Sequence, residues 1–202
     1  MDQITQRVEL IVVLWISLSL HEWAHARSAA LLGDTTAREL GRDTWDPTAH
    51  IDPVGTLLLP ALGVPFGWAV PVPVDVSRFH PGVGPTFGMA IVAVAGPLAN
   101  VAIAVAAALC LAFTAEMSGV PRGLLAMAVA MNLSLAVFNL IPLPPLDGSR
   151  VATLLIPRSV APLWEAWNRS GILSLLLIFA LSGYLSELVV RPIVRAALTL
   201  AF

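Results

Sequence analysis

At 202 residues the chain is too apolar for water: 57% of its residues are hydrophobic, 12% are charged and its mean hydropathy is +0.84, where soluble domains run at about 45–50% apolar. Those values exclude an ordinary soluble domain, and at about 20 residues per crossing they suit one bundle of four or five membrane helices. The net charge is −2 and the eleven basic residues are all arginines scattered between apolar runs, which excludes the basic stripe of a nucleic-acid binder.

The first element is an apolar helix predicted over residues 8–32, with a polar lower third, closed by Gly33 as a C-cap. Its Met-Asp-Gln start lacks a basic n-region, and no small-residue cleavage site follows the apolar run, so the helix is expected to stay in the protein. Residues 34–55 form the one long polar stretch, carrying Asp34, Arg38, Glu39, Arg42, Asp43, Asp46, His50 and Asp52, and read as a loop in water or at the headgroups. Residues 56–74 are apolar enough to span, yet Pro60, Pro65, Pro71 and Pro73 remove backbone donors. Non-helical backbone at membrane depth survives only against protein or a water-filled cavity, so this segment is predicted to be a re-entrant or extended hairpin packed on the bundle.

A second span is predicted over 87–113, where Ala95-Gly96-Pro97-Leu98-Ala99-Asn100 permits close helix contact. Its Cys110 sits in an apolar run, reads as a structural thiol and, being single, rules out an internal disulfide. A third span over 122–141 carries Asn132 and Asn139, and Pro142, Pro144 and Pro145 end it before the irregular turn at Asp147-Gly148. Residues 171–190 make a fourth span, with 191–202 continuing it or lying on the surface. The expected fold is an all-α polytopic bundle of about four transmembrane helices in a single domain, with its core over about 8–150 and a C-terminal helical segment over 171–202.

His21-Glu22-Trp23-Ala24-His25 is an HExxH pattern, which on a helix sets both imidazoles on one face, within reach of one zinc ion, with a glutamate beside them to polarise water. At this chain's own His and Glu frequencies the pattern would arise by chance in about two or three sequences per thousand. Its other reading is a pair of core histidines with a buried glutamate. Three ionisable groups in five positions of a span cost on the order of several kcal/mol, however, and such groups are normally retained for a site. Catalytic zinc takes three protein ligands; Asp147, His50 and His80 are the candidates for the third.

These motifs, with His50-Ile-Asp-Pro-Val-Gly-Thr-Leu-Leu-Leu-Pro60, Gly67-Trp-Ala-Val-Pro-Val-Pro73, Ala95-Gly-Pro-Leu-Ala-Asn100 and Phe138-Asn-Leu-Ile-Pro-Leu-Pro-Pro-Leu-Asp-Gly148, resemble the site-2 protease family of intramembrane metalloproteases. The resemblance runs in family order over roughly residues 15–150. It implies one Zn2+ per chain held by His21, His25 and Asp147, Glu22 as general base, and a membrane-anchored protein substrate cut within or beside its transmembrane helix. It also implies that Asn139 and Asn100 contact the substrate backbone or the oxyanion, their alternative being interhelical hydrogen bonds. His50, in a polar loop, is expected to support or gate rather than ligate. Two rival functions use the same residues: a metal transporter, which needs no base at Glu22, and an inactive protease-like scaffold. Four spans put seven arginines on the side following the HExxH helix and four on the other, so that end is expected to face the cytoplasm across a prokaryotic plasma membrane. Oligomerisation is left open.

Overall fold

The structure is a computed structural model that describes residues 3–64, 67–113, 120–170, 172–193 and 195–196. Helix α1, Gln3–Leu31, carries the HExxH residues and begins earlier than the predicted span. It ends where expected: Gly33 has φ 110°, and its N–H donates to the Ala30 carbonyl at 3.1 Å. A Cβ there would meet the Arg78 carbonyl oxygen at 2.9 Å, so left-handed backbone and close chain approach both call for glycine.

The polar stretch that follows is folded by aspartates. Around α2, Thr36–Glu39, the buried Asp34 accepts from Thr36 N–H at 2.9 Å and from Asp75 N–H at 2.7 Å, tying the two ends of the loop region together. Asp46 caps a 3-10 turn at Pro47–His50, and Asp52 accepts from the Val54 and Gly55 N–H groups to start a π-helical stretch, Pro53–Leu58, that runs into α3, Leu59–Ala61. Of the expected hairpin, then, the first arm is helical. Only the second arm, from residue 67 to 75, is without helix, because Pro71 and Pro73 lack the donors a helix needs. Residues 65 and 66 of the hairpin lie outside the described residues.

Helix α4, Pro85–Phe113, and α5, Val120–Asn139, complete the core. His25 meets Val92 and His21 meets Asn100, so α4 runs antiparallel to α1, whereas Asn100 meets Asn132 and Ala107 and Leu111 pack with Val129, so α5 runs back along α4 and parallel to α1. Close approach is possible because α4 buries Gly88, Ala90, Ala93, Gly96, Ala104 and Ala107. Beyond α5 come α6, Asp147–Ala152, α7, Ala161–Arg169, and α8, Ile172–Leu185.

Among the described residues three helices are long and apolar enough to cross a membrane, Ile4–Leu31, Pro85–Phe113 and Pro121–Asn139, and no strand occurs. The expected fourth span takes a shorter form, 14 residues of α8 continued by five in a π-helical stretch, Ser186–Val190. Residues 197–202 lie outside the described residues, and with them the expectation for the tail. The all-α polytopic class is the one observed.

Candidate metal centre

Three side chains converge where α1, α4 and α6 meet. The Nε2 atoms of His21 and His25 lie 3.0 Å apart and approach Asp147 Oδ2 at 3.1 and 3.3 Å. Each imidazole is held from behind: His21 Nδ1 donates to Asn100 Oδ1 at 2.5 Å and His25 Nδ1 to the Val92 carbonyl at 2.7 Å. Pro97, inside α4, cannot donate to the carbonyl four residues earlier and loosens that turn, and in the same turn the Val92 carbonyl takes a side-chain donor.

Two rings that spend their Nδ1 protons in this way are bare at Nε2 when neutral. Their lone pairs then face a carboxylate oxygen that has no hydrogen-bond donor of its own among the described residues. Three acceptors aimed at one point suit a cation between them, and these donors, two imidazoles and a carboxylate, suit zinc. Their ligand atoms all lie within 4.8 Å of one another. Gly96 keeps the space open, since a Cβ there would collide with His25 Nε2 and meet His21 Nε2 at 2.6 Å.

Asp147 reaches this point because Pro142, Pro144 and Pro145 stop α5 and α6 begins at Asp147 itself. Gly148 lets the turn fold back on α5; a Cβ there would strike the Leu140 carbonyl. The side chains of His21 and His25 are 5% and 9% exposed and that of Asp147 is 20%, so the site opens on the Asp147 side.

Glu22, the neighbour of His21, accepts from Val72 N–H at 2.9 Å. Val72 lies in the non-helical arm 67–75, which is strapped along the bundle at five points. Thr56 Oγ1 donates to the Trp68 carbonyl, Val70 N–H donates to the His50 carbonyl, Arg42 donates to the Val70 carbonyl, Glu22 accepts from Val72 and Asp34 accepts from Asp75. Ala69 packs on Leu14 and Leu18 beneath it.

The other sequence candidates fall in different places. Asn100 is fully buried, with Oδ1 on His21 and Nδ2 donating to Asn132 Oδ1 at 2.8 Å. Asn139, the last residue of α5, donates to the Leu135 carbonyl of its own helix. His50 is buried away from the ligand group, its Nε2 donating to the Thr44 carbonyl at 2.9 Å and its Nδ1 facing Arg42. His80 is exposed and serves the fold through its N–H, which donates to the Leu32 carbonyl. Sequence reasoning passed over Ser17 and the parts that Gly96 and Asn132 play at the site. The available signals were the four-residue spacings Ser17–His21 and Gly96–Asn100, each of which sets two residues on one helix face.

The profile of peptidase family M50 matches residues 114–179. YwhC of Bacillus subtilis, named as a candidate zinc metalloprotease, is 36% identical over 178 residues, covering 84% of this chain and 79% of YwhC. Rip2 of Mycobacterium tuberculosis, named in the same way, is 33% identical over 144 residues, 69% of this chain and 54% of its own length. Rip2 of Mycolicibacterium smegmatis is 31% identical over 186 residues, 89% of this chain and 71% of its own. No solved structure matches. With a largely buried His-His-carboxylate group set among apolar spans, and with relatives aligned over most of its length, the chain belongs to peptidase family M50, the site-2 proteases, and is a multi-pass membrane zinc metalloendopeptidase.

Proposed function

We propose that this endopeptidase, a single membrane domain, cuts peptide bonds within or beside the transmembrane segments of other membrane proteins, with His21, His25 and Asp147 as zinc ligands and Glu22 as general base. The observation that carries this reading is the pairing of three converging lone-pair donors with a carboxylate that is tied to non-helical main chain. A zinc ion held by these three residues would supply Lewis acidity, lowering the pKa of the attacking water and polarising the scissile carbonyl. Glu22 takes the proton of that water and passes it to the leaving amine; the Val72 N–H keeps its carboxylate turned toward the work. Asn139 stands at the end of α5, before the turn that delivers Asp147, and is the candidate donor to substrate backbone or to the oxyanion. The transporter and scaffold readings have no observation in their favour.

An intact substrate helix hides its carbonyls in i to i−4 bonds, so several must break before Glu22 can act. Unpaired backbone in lipid is costly, and the arm 67–75 is the apolar segment beside Glu22 whose backbone is not tied up in a helix. The substrate is read as an extended stretch laid along this arm by strand addition. The arginine balance, seven to four, supports placing the metal end toward the cytoplasm of a prokaryotic plasma membrane. The test of the roles is Glu22→Gln in purified protein with a membrane-anchored substrate. Cleavage should vanish while about one zinc per chain remains, and His21→Ala, His25→Ala or Asp147→Ala should lose the metal as well. Full zinc in Asp147→Ala together with loss in His50→Ala would transfer the third ligand to His50.

A further inference from the structure

We propose that Asn132 and Ser17 set the tautomer of His21, and so its ability to ligate, by fixing which way round the Asn100 amide lies; this rests on the zinc-protease reading above. Ser17 Oγ donates its proton to the Val13 carbonyl at 2.6 Å, which leaves it only lone pairs to offer. Asn132 Nδ2 gives one proton to that oxygen and one to the Ala128 carbonyl, both at 2.9 Å. A main-chain carbonyl cannot become a donor, so the Asn132 amide cannot be reversed without setting oxygen against oxygen. Its Oδ1 therefore faces Asn100 and accepts from Asn100 Nδ2 at 2.8 Å. That in turn points Asn100 Oδ1 at His21 Nδ1, 2.5 Å away.

An acceptor at Nδ1 demands Nδ1–H and leaves Nε2 bare for a metal. A reversed Asn100 would present N–H there instead, move the ring proton to Nε2 and close the ligand position. Ser17, Asn100 and Asn132 are 1%, 0% and 0% exposed, so no bulk water can replace a missing member. The two histidines differ in this respect. His25 rests directly on a main-chain carbonyl, whereas His21 reaches the fixed carbonyls of Val13 and Ala128 through three side chains spread over α1, α4 and α5, beside a longer bond from Asn100 Nδ2 to the Ser17 carbonyl at 3.5 Å.

The experiment uses the full chain in detergent, with zinc affinity from chelator competition and the His21 tautomer from ring-nitrogen NMR of the metal-free, histidine-labelled protein. Wild type should take up about one zinc and show Nδ1–H at His21. Asn132→Leu should weaken zinc binding about 10–100-fold and populate Nε2–H. Adding Asn100→Asp to Asn132→Leu should restore the affinity to within a few-fold, because either oxygen of a carboxylate accepts from Nδ1. Recovery also shows that leucine at 132 leaves the fold intact. Val129→Ala, a packing loss on the same buried helix seam, should leave zinc affinity unchanged. The relay is overturned if Asn132→Leu binds zinc like wild type, if Asn100→Asp brings no recovery, or if Val129→Ala weakens zinc as much. A wild-type chain that takes up no zinc would remove the metal reading itself, and the relay with it.

Discussion

Gly96 has no side chain because two imidazoles occupy the space where one would be. A methyl group there would overlap His25 Nε2 and crowd His21 Nε2, and α4 cannot retreat while Val92 and Asn100 of the same helix hold those rings. Gly96→Ala is therefore expected to lower bound zinc at least about tenfold, measured as metal per chain, even though alanine is the better helix former. Glu9 is the opposite case. It is 4% exposed within α1, neither carboxylate oxygen has a hydrogen-bond partner among the described residues, and it lines an apolar recess of about 310 Å³ with Ile4, Thr5, Val8, Val12 and Leu124. An unsatisfied buried polar group costs about 1–3 kcal/mol. Glu9→Leu should raise the melting temperature by at least about 2 °C and leave zinc binding untouched, and a melting temperature that falls would show that Glu9 has a partner in the working protein.

Among the elements, the arm 67–75 is the one whose shape is imposed by its neighbours. It has no helix of its own, and its course follows from Thr56, His50, Arg42, Glu22 and Asp34 gripping its main chain. Arg42 donates to the Val70 carbonyl at 2.6 Å, so Arg42→Met should loosen the arm beside Glu22. Cleavage is expected to slow about tenfold or more, since a small misplacement of reacting groups is costly, with zinc content unchanged. On the substrate side, glycine, proline or asparagine near the cut should speed cleavage and leucine there should slow it, because only an unwound stretch can lie along the arm. Equal rates for leucine-only and glycine-containing substrate helices would remove the strand-addition step.

For the whole molecule, a metal held at the proposed site would tie together elements far apart in the chain: α1, which carries His21 and His25, and the turn leading into α6, which carries Asp147. Removing zinc leaves lone pairs facing one another, so chelation should lower the melting temperature by several degrees, and added zinc should restore it. Asp147→Ala should show no such zinc dependence. Orientation is read from the same architecture. The polar region around α2 and the segment that includes α7 both join elements at the metal end of the bundle, and they carry Asp43 and Arg158. Single cysteines at 43 and 158, in a Cys110→Ala background, are expected to react only with reagents that reach the cytoplasm, and labelling from outside intact cells would invert the topology.

Much of this was legible in the sequence. Apolar runs fix where a chain can cross a bilayer because backbone in lipid must be helical; hence α1, α4 and α5 sit close to their predicted ranges and Gly33 ends α1 where expected. The spacing of His21 and His25 is local helical geometry, which is why the two-histidine half of the metal group could be read without a structure. Motif order, through the family resemblance, pointed to Asp147 as the third member. Contacts that join distant segments could not be read in this way. Nothing local shows that Glu22 accepts from Val72, that Gly96 faces the imidazoles, or that Asn100 turns its oxygen to His21 because Asn132 rests on Ala128. Nor does apolar composition alone separate the helical arm at 53–61 from the extended arm at 67–75, since both are apolar and contain proline; the Asp52 cap, the closely spaced Pro71 and Pro73 and the strap residues tell them apart. Helix formation depends on residues within a turn of one another, whereas the tautomer of a buried histidine depends on whichever atom three helices bring to its far side, and that the tertiary structure alone decides.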